Sequence, residues 1–197
     1  NEKKHEPADI GFNFHLRHFL SCPHAKPLSF PALQDNIEST VSTETPPHAS
    51  AKPLPLDVYV DGSYRNERTL FGFIVVEGNK ARYQERGELT GPVTAMHQIG
   101  GELKAVVNAV QWAKKNVQPI VICYDYVGIE CWVADLFGKK PWKTKNPWTA
   151  KYRHFMLANS DWVVRMKRVK AHSGHHWNET VDAFVGATET DITPSGA

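Results

Sequence analysis

Leu56-Asp57-Val58-Tyr59-Val60-Asp61-Gly62-Ser63 is an alternating apolar run that closes on an acid and two small residues. Its two-residue period predicts a strand over 56–61 with Asp61 at its end. Further on, Leu70-Phe71-Gly72-Phe73-Ile74-Val75-Val76 makes a second strand and 81–88 a third, with Glu77-Gly78-Asn79-Lys80 as the hairpin turn between them. The period then changes. Leu103, Val106, Val107, Val110 and Ala113 recur at helical spacing, Lys114 and Lys115 suit the negative end of a helix, and Asn116 and Pro119 stop it. A fourth strand covers 120–124, short helices cover about 127–136 and 149–159, a fifth strand of alternating apolar and basic residues covers 162–169, and a last helix runs over about 178–188. Three antiparallel strands followed by strands separated by helices predict an α/β fold. Its five-stranded mixed sheet, three antiparallel strands then two parallel, is flanked by helices.

Residues 1–55 differ in kind. Prolines punctuate them, and 38–50 is rich in Ser, Thr and Pro with almost no large apolar residues. Such a stretch buries too little surface to offset its ordering entropy, so 1–55 reads as a tail or linker, with one apolar run at 10–20 able to form a short docking element. His15, His18, Cys22 and His24 can in principle gather a zinc, but their spacing matches no structural zinc pattern and a plain tail is favoured. The 197 residues suffice for one domain plus that tail. Net charge is +2 and the pI is near 8.4, so whole-chain charge alone does not indicate nucleic acid. The odd set Cys22, Cys123 and Cys131 reads as reduced thiols in a cytosol-like compartment. No stretch approaches the roughly 20 apolar residues of a membrane span, and no signal peptide opens the chain. The expectation is a cytoplasmic monomer with no membrane partner. The Asn start implies a chain that is processed, trimmed or cut from something longer.

Four acids occupy contexts that place carboxylates at strand ends and helix starts. Asp61 closes the first run. Glu102 opens a helix in Gly100-Gly101-Glu102-Leu103, and Asp125 follows the buried run ending at Tyr124. Asp182 lies in Asn178-Glu179-Thr180-Val181-Asp182, shortly after Lys170-Ala171-His172-Ser173-Gly174. Taken singly each is commonplace: an Asp-Gly-Ser is usually a turn, and an acid at a helix start is usually a dipole partner. Gathered at one point they would repel and raise their own pKa values, and divalent cations turn that liability into binding energy. A cage of carboxylates around Mg²⁺ does phosphoryl-transfer chemistry.

In order and approximate interval, over residues 56–188, these strings resemble the ribonuclease H type 1 family. The resemblance implies a catalytic domain over 56–190 with a C-terminal tail at 191–197. It implies two Mg²⁺ ions, with Mn²⁺ able to substitute, held by Asp61, Glu102, Asp125 and Asp182. The implied partner is an RNA·DNA hybrid, whose RNA strand is hydrolysed internally to 5′-phosphate and 3′-hydroxyl ends. His172 matches the family histidine that assists proton transfer or product release, and Glu179 matches a supporting acid. Gly62, Ser63, Gln98, Gly101 and Asn178 become candidate substrate contacts, the glycines by letting the nucleic-acid backbone come close. Lys139-Lys140-Pro141-Trp142-Lys143-Thr144-Lys145-Asn146-Pro147-Trp148 resembles the family's basic handle, with Trp142 and Lys143 as its grip; the alternative is a solvated lysine loop whose tryptophans tuck into the core. The chain departs from the family at His97-Gln98-Ile99, where an Asn is usual, and at Asp125-Tyr126, where Asp-Ser is usual. Two alternatives share the pattern: a ribonuclease H domain excised from a reverse transcriptase or mobile-element polyprotein, and a non-catalytic hybrid-binding module.

Overall fold

The structure, a computed structural model, describes residues 53–187. The tail, its docking element at 10–20, the His/Cys set and the C-terminal tail at 191–197 lie outside the described residues. Strands β1 (Leu56–Arg65), β2 (Arg68–Glu77) and β3 (Lys80–Leu89) form an antiparallel meander. Strands β4 (Ile120–Tyr124) and β5 (Val163–Arg168) add on parallel to β1, giving the order β3-β2-β1-β4-β5. Helices α1 (Gln98–Lys115), α2 (Gly128–Cys131), α3 (Pro147–Ala158) and α4 (His176–Gly186) complete the frame. This is the five-stranded mixed sheet that the alternation predicts. Among the described residues no helix is long and apolar enough to cross a membrane.

Alternation along β1 sends successive side chains to opposite faces. One face, with Tyr59, Ile74, Val76, Val121 and Cys123, packs on Val181 and Val185 of α4. The other carries α1, whose Leu103, Val106, Val107, Val110 and Ala113 are buried. Cys123 and Cys131 are free thiols.

Four element boundaries differ from expectation. β1 does not stop at Asp61; it runs four residues further and reverses through Asn66 and Glu67, both at positive φ (48° and 60°), the left-handed pair that a tight hairpin needs. α1 begins at Gln98, so Glu102 sits in its second turn and does not open the helix. The stretch 127–136 is no continuous helix: α2 is one turn, followed by a separate 3-10 turn at Ala134–Phe137. α4 begins at His176, which places Asn178 inside it.

Candidate active site

Asp61 and Glu102 are brought together by two glycines. A Cβ on Gly62 would lie 2.2 Å from the Glu102 amide nitrogen and 2.6 Å from the Gly101 carbonyl carbon, and one on Gly101 would lie 2.2 Å from the Leu70 carbonyl oxygen. Only hydrogen fits between β1, β2 and the second turn of α1. The need for glycine at 62 and 101 thus arises from the close approach of the protein's own backbone. Ser63 is likewise buried within β1, at 8% exposure. Asp125 follows the last residue of β4, the parallel neighbour of β1, and so arrives beside Asp61. From the other face, α4 comes in close at Gly72, the cross-strand partner of Asp61, where a Cβ would stand 2.6 Å from a Val185 methyl.

One carboxylate oxygen each from Asp61, Glu102 and Asp125 falls within 4.8 Å of the others. Glu102 is fully buried, and neither of its carboxylate oxygens has a hydrogen-bond partner. Burial, then the charges of Asp125 and Asp182, push Asp61 from 3.8 up to about 7, with the Gly62 amide and Arg65 pulling the other way. Burial, then Asp61 and Asp125, hold Glu102 well above the usual carboxylate range. Asp182, half-buried on α4, is not in the tight trio but raises both Asp61 and Glu102 by its charge. An all-oxygen donor set with an orphaned buried carboxylate at its heart fits a hard divalent cation such as Mg²⁺ or Mn²⁺, which would supply the missing positive charge.

The family model for RNase H matches residues 55–189. The chain belongs to the RNase H family. Solved RNase H1 structures are similar to it, and the first of those that follow shows the fold. RNase H1 from the halophilic archaeon Halobacterium salinarum NRC-1 is 16% identical with a TM-score of 0.51, over 66% of this chain and 92% of that one. LC11-RNase H1, isolated from compost by a metagenomic approach, is 16% identical with a TM-score of 0.47, over 66% and 95%. The same LC11-RNase H1 in complex with an RNA/DNA hybrid is 15% identical with a TM-score of 0.48, over 66% and 96%. No curated protein matches the chain by sequence. As a ribonuclease H the protein is a hydrolase and a nuclease.

The remaining candidates of this ribonuclease H divide by where their side chains go. Asn178 is 5% exposed, and its Nδ2 donates to Asp125 Oδ2 at 3.3 Å. It thereby holds a carboxylate of the trio. His172 is exposed in the turn between β5 and α4, at φ 48°. That turn is braced on both sides: Ser173 Oγ donates to the Lys170 carbonyl at 2.7 Å, and the Gly174 amide donates to Glu179 Oε1 at 2.8 Å. Glu179 thus shapes the loop that carries His172. His175, by contrast, turns its ring against Tyr59, with centroids 5.3 Å apart. Gln98 is exposed at the first position of α1.

The basic segment splits its two tryptophans. Trp148 is buried in the first turn of α3, where the Asn146 side chain accepts its backbone N–H. Trp142 is 48% exposed and Lys143 is exposed beside it. The Trp142 amide donates to the Cys131 carbonyl at 2.7 Å, and Lys139 pairs with Glu130 at 2.8 Å, fastening the loop to α2. Asn178's bond to Asp125 and the glycine contact both escape sequence reading. A paired set of glycines in β1 and α1 is the only signal there, and it is ambiguous between substrate approach and close packing. Tyr126, next to Asp125, is half-buried, and its phenol is pushed up by burial and then by the Glu102 charge.

Proposed function

We propose that the protein cleaves the RNA strand of RNA·DNA hybrids internally, leaving 5′-phosphate and 3′-hydroxyl ends, with Asp61, Glu102, Asp125 and Asp182 holding two divalent ions. The observation that carries this is the convergence of three carboxylates within 4.8 Å around a buried Glu102 that has no hydrogen-bond partner. Asp61, Glu102, Asp125 and Asp182 would hold Mg²⁺, or Mn²⁺ in its place, which when bound would activate a water and stabilise the leaving oxygen. The chain's own groups do the rest. Glu102, fully buried, is a ligand fixed from behind by the strand–helix contact. Asn178 fixes the Asp125 carboxylate through Nδ2. His172, on its braced and exposed turn, exchanges a proton at a ring nitrogen with water or the departing oxygen, a task imidazole suits near neutral pH. Trp142 and Lys143 meet the DNA strand through stacking and phosphate attraction. Gln98 faces the RNA strand from the start of α1, where 2′-hydroxyls separate RNA from DNA. The same reading has the protein act as an intracellular monomer.

The test is a cleavage assay on labelled RNA·DNA hybrid, duplex RNA and duplex DNA, with Mg²⁺, Mn²⁺ or EDTA. Hybrid alone should be cut, and both EDTA and Asp125→Asn should abolish the cutting. Hybrid cleavage that persists in Asp125→Asn removes Asp125 from the centre.

A further inference from the structure

Tyr126 stands directly after a carboxylate of the trio. The backbone turns sharply there, with the Ile129 amide donating to the Tyr126 carbonyl at 3.1 Å. The phenol ring folds back over Gly128, where a Cβ would stand 2.5–2.8 Å from Cε1, Cζ and Oη. Its other flank meets Trp132, with centroids 6.0 Å apart and planes at 54°. Trp132 is itself fixed. It is 9% exposed, its carbonyl accepts from Arg153 at 2.8 Å, and Arg153 grips Asp135 through two bonds of 2.6 Å. Beyond Trp132 lies the exposed Trp142, edge-on at 6.1 Å. The Tyr126 ring is thus seated from two sides, yet among the described residues its hydroxyl makes no hydrogen bond. A seated aromatic with an unspent donor loses little freedom when it meets a partner.

We infer that Tyr126 is a substrate contact of this enzyme, with its ring against the RNA-strand sugar next to the scissile phosphate and its hydroxyl donating to that sugar's 2′-hydroxyl. This rests on the proposed function. Asp125 belongs to the centre that would hold the scissile phosphate, and Tyr126 follows it directly, so the adjoining sugar of the same strand is the group assigned to Tyr126. An uncharged phenol suits a hydroxyl partner, and an A-like minor groove displays 2′-hydroxyls. Tyr126 then contributes to the choice of RNA over DNA at one sugar position.

Binding and cutting separate the two claims. Fluorescence anisotropy with Ca²⁺ in place of Mg²⁺ compares wild type and Tyr126→Phe on labelled hybrids, each carrying a single 2′-deoxy sugar at a different place in the RNA strand. The expected result is binding weakened roughly 3- to 10-fold by Tyr126→Phe, the worth of one neutral hydrogen bond. At one sugar position the 2′-deoxy hybrid should bind both proteins equally, while the difference persists at every other position. Equal affinity on the unmodified hybrid, or a difference that persists at every position, overturns the inference. A wild type that binds the hybrid with this pattern but leaves it uncut in Mg²⁺ ends the hydrolase reading and leaves Tyr126 as a contact.

Discussion

Asn178 shows how a single amide reaches the carboxylate trio from a distant part of the chain. Its Nδ2 lies on Asp125, 53 positions earlier in the chain, and it shares α4 with Asp182 one turn further on. Groups that orient metal ligands commonly govern metal affinity or turnover by 10- to 100-fold. Asn178→Ala should therefore lower kcat about 10-fold and raise the Mg²⁺ concentration needed for half-maximal rate, with KM for hybrid unchanged. A raised KM with kcat intact would return Asn178 to the substrate. The four acids stood out in the sequence through the strings around them, although Asp61 lies within β1 and Glu102 and Asp182 lie inside helices. The amide's task was not, since periodicity carries no information about a bond between residues so far apart.

At the scale of elements, the centre depends on how closely α1 approaches the sheet. Gly62→Ala places a methyl 2.2 Å from a backbone nitrogen, and backbone cannot step aside as a side chain can. The expected cost is about 3 kcal/mol in urea unfolding, accompanied by loss of hybrid cleavage as Glu102 is forced away from Asp61. Gly87→Ala meets only the Phe71 ring, at 2.9 Å, and should be milder. An equal loss in the two variants would show that the strand–helix contact is not special. Alternation and the Gly78-Asn79 turn made the first three strands legible. The start of α1 was hidden because no side chain caps it: His97 precedes the helix at φ 49° without a capping bond. The end of β1 was hidden because Gly62-Ser63 reads as a turn, yet it pairs with Phe71 and Leu70 in mid-strand. The split between buried Trp148 and exposed Trp142 was equally invisible, since both sit in the same lysine-rich composition.

Across the whole molecule, the parallel pairing of β1 and β4 brings Asp61 and Asp125 to one place, and charge guards both outer edges of the sheet. β3 carries Lys80, Arg82, Glu85, Arg86 and Glu88, and β5 carries Arg165, Lys167 and Arg168, which discourages pairing with another sheet. Inside, charge works against the fold until it is neutralised. Asp61 holds its proton up to about 7 in the folded protein, against an ordinary value of 3.8. Between those values the folded state binds more protons than the unfolded one, so stability is greatest below about pH 4 from this group and falls as pH rises through 7. Metal-free protein should melt at lower temperature at pH 8 than at pH 5 as far as this centre governs it. Mg²⁺ should raise the melting temperature more at pH 8 than at pH 5. A Mg²⁺ effect equal at both pH values would detach the ion from Asp61.

Arg86 of β3 donates to the carbonyls of Phe184 and Ala187, tying the far edge of the sheet to the end of α4. That helix, the last element among the described residues, brings both Asp182 and the amide that steadies Asp125. During translation the ribosome therefore releases the sheet, α1 and three of the acids before the centre can be finished. A nascent chain stalled short of α4 holds Asp61, Glu102 and Asp125 but lacks Asp182 and the amide on Asp125, so synthesis completes the acidic cluster last.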